Sequence, residues 1–265
     1  MDLAALKGAW AIVTGASAGI GREFATRLAQ RGVNVVLVAR RGDLLAALAS
    51  ELQSNHGVSA QAIALDLADN DAALRLRELL AERRIHPRLL VNNAAVGRWG
   101  RFEATPVETY ERMLRINVEA VLSLCETFLP LLAQQQPAAV VNVSSPAALQ
   151  PVPYMAAYAA SKAFVQSFSL ALHEEWRGRG VYVQTLVPGP TASEFDRLAG
   201  AYDSRLGGHR DPPAKAVDAS LRGFAGEHPL VVSAGGTFPQ RLFAALAPTR
   251  FMLAKVGRMF RPPGR

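Results

Sequence analysis

Apolar positions along this chain follow two rhythms that alternate from one end to the other. Short, almost unbroken apolar runs occur as WAIVTG (10–15), VNVVLVAR (33–40), AQAIALDL (60–67), RLLVNNA (88–94), AAVVNVSS (138–145), VYVQTLVPG (181–189) and PLVVSAG (229–235). Runs of this kind, without regular polar alternation, predict strands covered on both faces. Between them lie longer stretches such as GREFATRLAQRG (21–32) and ETYERMLRINVEAVLSLCETFLPLLAQQ (108–135), with apolar residues at helical spacing. Strand–helix alternation predicts an α/β fold, a mostly parallel seven-stranded sheet with helices on both faces in three layers, connected right-handedly. No internal repeat or long linker divides the chain, so residues 1–265 read as one domain. The polar, glycine-rich segment 192–213, ASEFDRLAGAYDSRLGGHRDPP, breaks the pattern after the sixth strand. An insertion there lies at the carboxyl edge of the sheet, where open α/β folds bind ligands, and is read as a substrate lid.

Composition agrees with a globular core: half of the residues are hydrophobic and 19% are charged. The single cysteine, Cys125, excludes an internal disulfide framework and a Cys-rich metal site, and it sits in an apolar helical pattern as a structural thiol. His56, His86, His173, His209 and His228 form no HxxxH or HExxH arrangement, so no metal site is expected. The N-terminal MDLAALKGAWAIVTG lacks the ordered parts of a secretory signal, and no stretch approaches the ~18 uncharged apolar residues of a membrane span. A cytoplasmic protein is expected. The net charge of +7 would suggest nucleic acid, but its distribution argues otherwise. Beyond Glu227 there is no acidic residue, while Arg241, Arg250, Lys255, Arg258, Arg261 and Arg265 carry six of the seven excess charges. The body is nearly neutral and only the tail is basic.

Three stretches carry chemistry. The first strand runs straight into Gly15, Ser17, Gly19, Ile20 and Gly21 and then into a helix, the context in which a glycine turn brings backbone N–H groups to a pyrophosphate. The second strand ends in Ala39, Arg40 and Arg41. An acidic residue there would suit the ribose 2′-hydroxyl of NAD, whereas guanidinium groups suit the 2′-phosphate of NADP. Solvated arginines after a strand are the bland alternative. In YMAAYAASKAF (154–164), Tyr158 and Lys162 stand four residues apart, on one face of a helix. They are either a surface pair or an acid–base device, in which the ammonium favours the phenolate and lowers a tyrosine pKa of ~10 toward neutrality.

Five motifs in order then resemble the short-chain dehydrogenase/reductase family over nearly the whole chain: TGASAGIG (14–21), NNAA (92–95), VNVSS ending at Ser145, Tyr158 to Lys162 as YxxxK, and the Pro188–Gly189 turn. The resemblance implies a Rossmann-like doubly wound fold and NAD(P)-dependent interconversion of a carbonyl and an alcohol, with NADP(H) preferred over NAD(H) on account of Arg40 and Arg41. It implies that Tyr158 is the proton donor, that Lys162 reaches the nicotinamide ribose, and that Ser145 holds the substrate oxygen. Asn117 in RINV would hold a water linking Lys162 to solvent. By matching position, Asp66 and Leu67 flank the adenine, and Asn93, Ala94 and Ala95 the adenosine ribose. Pro188, Gly189, Thr191 and Ser193 cradle the nicotinamide carboxamide. Two positions depart from the family: Ala95 replaces a usual glycine and Ser193 a usual threonine. Tyr154, one turn before Tyr158, has no lysine at i+4 and is read as lining the substrate entrance; Ser144 is the lesser serine by spacing.

The tail, 238–265, has Met252, Leu253, Val256, Met259 and Phe260 at helical spacing, with Pro248 dividing it into two short helices. It reads as a core- or dimer-covering helix, as a lid over an apolar site, or, less favoured, as a peripheral anchor on an anionic membrane. The expected partners are an apolar small-molecule substrate (a ketone, aldehyde or oxoacyl compound) and a second copy, as a homodimer or homotetramer through helices near 107–133 and 158–177. Nucleic acid is not expected. A nucleotide-binding sensor or scaffold without turnover is the alternative class, disfavoured by the intact Asn117, Ser145, Tyr158 and Lys162 set.

Overall fold

The computed structural model describes residues 1–201, 210–233 and 247–262. Seven strands form one parallel sheet in the order β3-β2-β1-β4-β5-β6-β7. They are β1 (Trp10–Thr14), β2 (Asn34–Ala39), β3 (Ala60–Ala64), β4 (Pro87–Asn92), β5 (Ala138–Val143), β6 (Val181–Val187) and β7 (Leu230–Val232). All seven apolar runs of the sequence became strands, because a strand covered on both faces needs apolar residues at successive positions. Side chains of alternate residues enter opposite layers. Ala11 and Val13 of β1 join Val35 and Leu37 of β2 in one core, against α1 (Gly19–Ala29), α2 (Gly42–His56) and α8 (Pro213–Gly223). Ile12, Val36 and Val38 enter the other core, against α3 (Ala72–Glu82), α5 (Ala120–Gln134) and α6 (Ala156–Arg177). The fold is Rossmann-like, a three-layer αβα arrangement.

Strand order reverses between β1 and its neighbours β2 and β4, which opens a crevice beyond the carboxyl ends of β1 and β4. The long helical pattern at 108–135 is not a single α-helix. It divides into α4 (Val107–Leu114), a π-helical turn (Arg115–Glu119) and α5. One 18-residue window of this stretch has a mean hydropathy of 1.5, apolar enough to cross a membrane by composition; 56% of it is buried inside the protein. Burial against the sheet accounts for that hydropathy, as in the core helices of globular folds.

A third apolar cluster lies apart from the two main cores. It joins Trp99, Met113, Val152, Met155, Tyr158 and Ala159 to Met252 and Val256, with Tyr154, Phe195 and Phe260 packed against it. Met252 and Val256 belong to α9 (Thr249–Phe260), which starts directly after Pro248, and the Trp99 indole donates to the Phe260 carbonyl at 2.8 Å. The tail thus covers its own domain with one face, while Phe251, Leu253 and Met259 are exposed. The helix expected before Pro248, over 238–246, lies outside the described residues, as do residues 202–209 of the segment read as a lid.

Candidate active site

The glycine turn is fixed by its own backbone and by β4. Gly15 and Gly19 have φ of 66° and 54°, which side chains rarely adopt. A Cβ on Gly21 would lie 2.3 Å from the Gly15 carbonyl oxygen and 2.5 Å from Asn93 Nδ2. Thr14 Oγ1 accepts from the Asn93 and Ala94 N–H groups at 2.9 and 3.1 Å and donates to the Val91 carbonyl at 3.2 Å. Asn93 Nδ2 donates to the Thr14 carbonyl at 2.9 Å. Asn93 therefore braces the turn from beneath, and Thr14, absent from the residues assigned a role above, is its partner. No side chain caps the first turn of α1, since Ala18 stands at the N-cap. That helix end suits an anion.

Beside this turn, Arg41 donates from Nη2 to Ser17 Oγ at 3.0 Å and pairs with Glu194 at 2.7 Å. Arg40 acts electrostatically on Asp66. Partial burial pushes the Asp66 carboxyl up, but the Ala68 N–H, Arg112 and Arg40 outweigh it and hold the group below its ordinary value. Asp66 accepts from Ala68 N–H at 3.0 Å and from the Arg112 guanidinium, and Leu67 beside it is buried.

At the ends of β5 and β6 a second group assembles. The two serines after β5 separate cleanly. Ser144 Oγ donates to the Lys162 carbonyl at 2.9 Å, a structural tie, whereas Ser145 accepts from Ala147 N–H at 3.2 Å and acts on the Tyr158 hydroxyl, favouring its charged form. Lys162 is 4% exposed, and its Nζ donates to the Val143 carbonyl at 2.9 Å. Asn117 sits in the π-helical turn, a distortion found at functional positions. Its Oδ1 accepts from Val96 N–H at 2.9 Å, and its Nδ2 donates to the Val96 carbonyl and to Ser161 Oγ at 2.9 and 3.0 Å. Ser161 in turn donates to the Tyr158 carbonyl at 2.7 Å. Ser161, which stands between Tyr158 and Lys162, thus couples Asn117 to α6.

The environment of Tyr158 alters one expectation. Burial pushes its pKa up to about 12, with Ser145 opposing and Asp196 adding to the rise; burial also pulls Lys162 down to about 8. Lysine was expected to lower the phenol's pKa. No effect of Lys162 opposes the burial here: its Nζ is engaged by the Val143 carbonyl, and burial disfavours the charged forms of both groups.

The pocket is closed by a residue that no motif marks. The Phe195 ring stacks at a tilt on Tyr158, with centroids 5.2 Å apart, and leaves no room for a Cβ at Gly97. Phe195 opens α7 (Phe195–Leu198), within the segment read as a lid. Ser193 Oγ accepts from Phe195 N–H at 3.2 Å, and a Cβ on Gly19 would lie 3.0 Å from the Ser193 Cβ. Thr191 Oγ1 donates to the Gly189 carbonyl at 2.8 Å, shaping the turn after Pro188. Tyr154 has a φ of 66°, accepts through its carbonyl from Gly100 N–H at 2.9 Å and packs on the third apolar cluster. Ala95 is partly buried next to the Val96 backbone that Asn117 holds. Among the described residues no group of three or more His, Cys, Asp or Glu is placed to hold a metal.

The chain is similar to known proteins. The family model of short chain dehydrogenases matches residues 9–201, and the chain belongs to that family of oxidoreductases. The human very-long-chain 3-oxoacyl-CoA reductase is 34% identical over 199 residues, which span 72% of this chain and 62% of that protein. The chain therefore matches less than two thirds of that relative's length. A short-chain dehydrogenase from Sphingobium yanoikuyae, solved in complex with NADPH, superposes with a TM-score of 0.80 at 32% identity, covering 93% of this chain and 95% of that one. The bulky-bulky ketone specific alcohol dehydrogenase from Comamonas testosteroni superposes with a TM-score of 0.77 at 28% identity, over 92% and 93% of the two chains.

Proposed function

We propose that the protein is an NADP(H)-dependent oxidoreductase that interconverts a bulky apolar ketone or oxoacyl compound and its alcohol. The observation that carries this reading is the burial of Tyr158 in an apolar cluster, with Ser145 acting on its hydroxyl, at the carboxyl edge of the sheet that also carries the glycine turn. The residues present fit a nicotinamide dinucleotide. The uncapped start of α1 offers a seat for the pyrophosphate, and Gly15, Gly19 and Gly21 permit its approach. Arg41, with Arg40 nearby, offers positive charge to a 2′-phosphate, which supports NADP(H) over NAD(H). Asp66 and Leu67 would line the adenine, Asn93 to Ala95 its ribose, and Pro188 to Ser193 the nicotinamide end.

The cofactor, when bound, supplies the hydride. The chain's part is to hold the carbonyl oxygen and deliver a proton as charge develops on it. Ser145 Oγ donates to the substrate oxygen and Tyr158 Oη gives it the proton. A phenol held protonated by burial is well prepared for the reductive direction, since its proton is present throughout the neutral range. Lys162, still largely charged at pH 7, lowers the cost of the phenolate left behind. Asn117 fixes the backbone at Val96 and, through Ser161, the α6 turn that carries Tyr158.

The apolar substrate class rests on the wall formed by Val152, Met155, Phe195, Met252 and Val256, and accords with the names of the human and Comamonas relatives. A screen of NADPH oxidation with bulky ketones and 3-oxoacyl thioesters of increasing chain length tests it. Turnover that rises with apolar bulk and disappears in Tyr158→Phe is expected; turnover confined to small polar carbonyls would overturn the substrate reading. We also propose a homo-oligomer built on α4–α5 and α6, supported by the exposed Leu114 and Leu122 on that side.

A further inference from the structure

Arg41 is already engaged, and its partner comes from the segment that covers the active site. The Glu194 carboxylate pairs with Arg41 at 2.7 Å, on the same guanidinium nitrogen that reaches Ser17. It also accepts from Arg197 at 3.1 Å. Glu194 directly precedes Phe195, the ring packed on Tyr158, and its carbonyl accepts from Leu198 N–H at 2.9 Å, closing α7. A carboxylate on this arginine presents the same charge chemistry as a ribose 2′-phosphate: an oxyanion paired with a planar guanidinium. We propose that Glu194 competes with the cofactor's 2′-phosphate for Arg41, so that a 2′-phosphorylated nucleotide releases α7 and lets Phe195 withdraw from Tyr158. A nucleotide without that phosphate leaves the latch closed.

This inference rests on the NADP(H) reading and adds to it a role for an acidic residue. Glu194 then has two effects on selectivity. It costs NADP(H) some affinity, because the pair must break, and it couples that binding to the opening of the substrate pocket. The cost is small because both side chains are partly exposed, at 43% for Arg41 and 36% for Glu194. Exposed pairs of this kind correspond to roughly twofold to fivefold in a binding constant. A second tether, Arg210 to Asp196 at 2.8 Å, does not involve Arg41.

The test uses the full chain with 2′,5′-ADP, which carries the 2′-phosphate without nicotinamide, and with 5′-AMP as the unphosphorylated comparison. Calorimetry of Glu194→Gln is expected to show roughly twofold to fivefold tighter 2′,5′-ADP binding, unchanged 5′-AMP binding, and no gain in an Arg41→Ala background. Amide exchange over residues 194–201 is expected to rise with 2′,5′-ADP in the native chain and to be unaffected by 5′-AMP. Equal gains for both nucleotides in Glu194→Gln, a gain that persists without Arg41, or protection of 194–201 by 2′,5′-ADP would each overturn the latch. Should Arg41→Ala weaken both nucleotides equally, the NADP(H) reading itself fails. Should it weaken only 2′,5′-ADP while Glu194→Gln changes nothing, that reading stands and the latch alone is lost.

Discussion

The two walls of the candidate cleft are held by different kinds of force. On one side, the glycine turn is locked by buried and half-buried hydrogen bonds from Thr14 and Asn93 and by steric contact at Gly21. On the other, α7 is held by ion pairs of Glu194 and Asp196, by the face of one aromatic ring, and by one backbone bond from Trp99 N–H to the buried Ala199 carbonyl. Buried backbone-directed bonds are costly to break, whereas exposed ion pairs contribute ~0–1 kcal/mol each. The difference assigns the work: the first wall keeps a fixed shape for the dinucleotide, and the second is cheap enough to move.

Tyr158 lies between the walls, and removing its hydroxyl gives the largest expected effect. Tyr158→Phe should lower kcat for carbonyl reduction by ~10²–10⁴-fold with NADPH affinity retained. Steady-state kinetics alongside a binding titration checks this, and a variant that still turns over would break the reading of both walls as one active site. Next comes Arg41→Ala, for which NADPH affinity should fall by about ten- to hundredfold, as for a lost hydrogen bond to a charged group, with NADH little changed. On the locked wall, Gly21→Ala forces a methyl into the Gly15 carbonyl, and denaturant unfolding should report a loss of about 1–3 kcal/mol.

A pH profile separates charge from packing. Because Lys162 is pulled down to about 8, it loses its proton as pH rises through that value. The reductive kcat/KM should therefore decline by about tenfold per pH unit above pH 8. Stability should move the other way. The unfolded lysine, at its ordinary 10.5, holds more protons than the folded one between pH 8 and 10.5, so the penalty of burying Lys162 is relieved as pH rises across that window. Tyr158, raised to about 12, reverses this above pH 10, where the folded state holds the extra proton. Thermal melts from pH 7 to 11 in native and Lys162→Met chains would resolve the two trends. The smallest effect belongs to the movable wall: Arg197→Ala removes an exposed contact and should change stability by less than about 0.5 kcal/mol. A larger loss would mean that α7 is anchored more firmly than its surface ion pairs suggest.

Much of this protein was legible in order along the chain. Seven apolar runs specify seven strands because a doubly covered strand leaves no position for a polar residue to reach water. Gly15, Gly19 and Gly21 announce a tight turn because side chains rarely adopt the φ of the first two and a Cβ on the third would clash with the Gly15 carbonyl. The spacing from Tyr158 to Lys162 announces a shared helical face. The role of Ser161, the π-helical turn under Asn117 and the contact of Phe195 with Tyr158 could not be read in this way. Each depends on segments far apart in sequence: 44 residues separate Asn117 from Ser161. The same holds for the sign of the Tyr158 shift. Sequence places a lysine near the phenol, but only the packing of Met155, Val152 and Phe195 around Tyr158 shows that burial dominates its shift. Local rules of backbone and periodicity thus determined the elements and the candidate chemistry. Packing and long-range pairing, which are properties of the assembled chain, set the burial of Tyr158, the partner of Arg41 and the kind of contact that holds each wall.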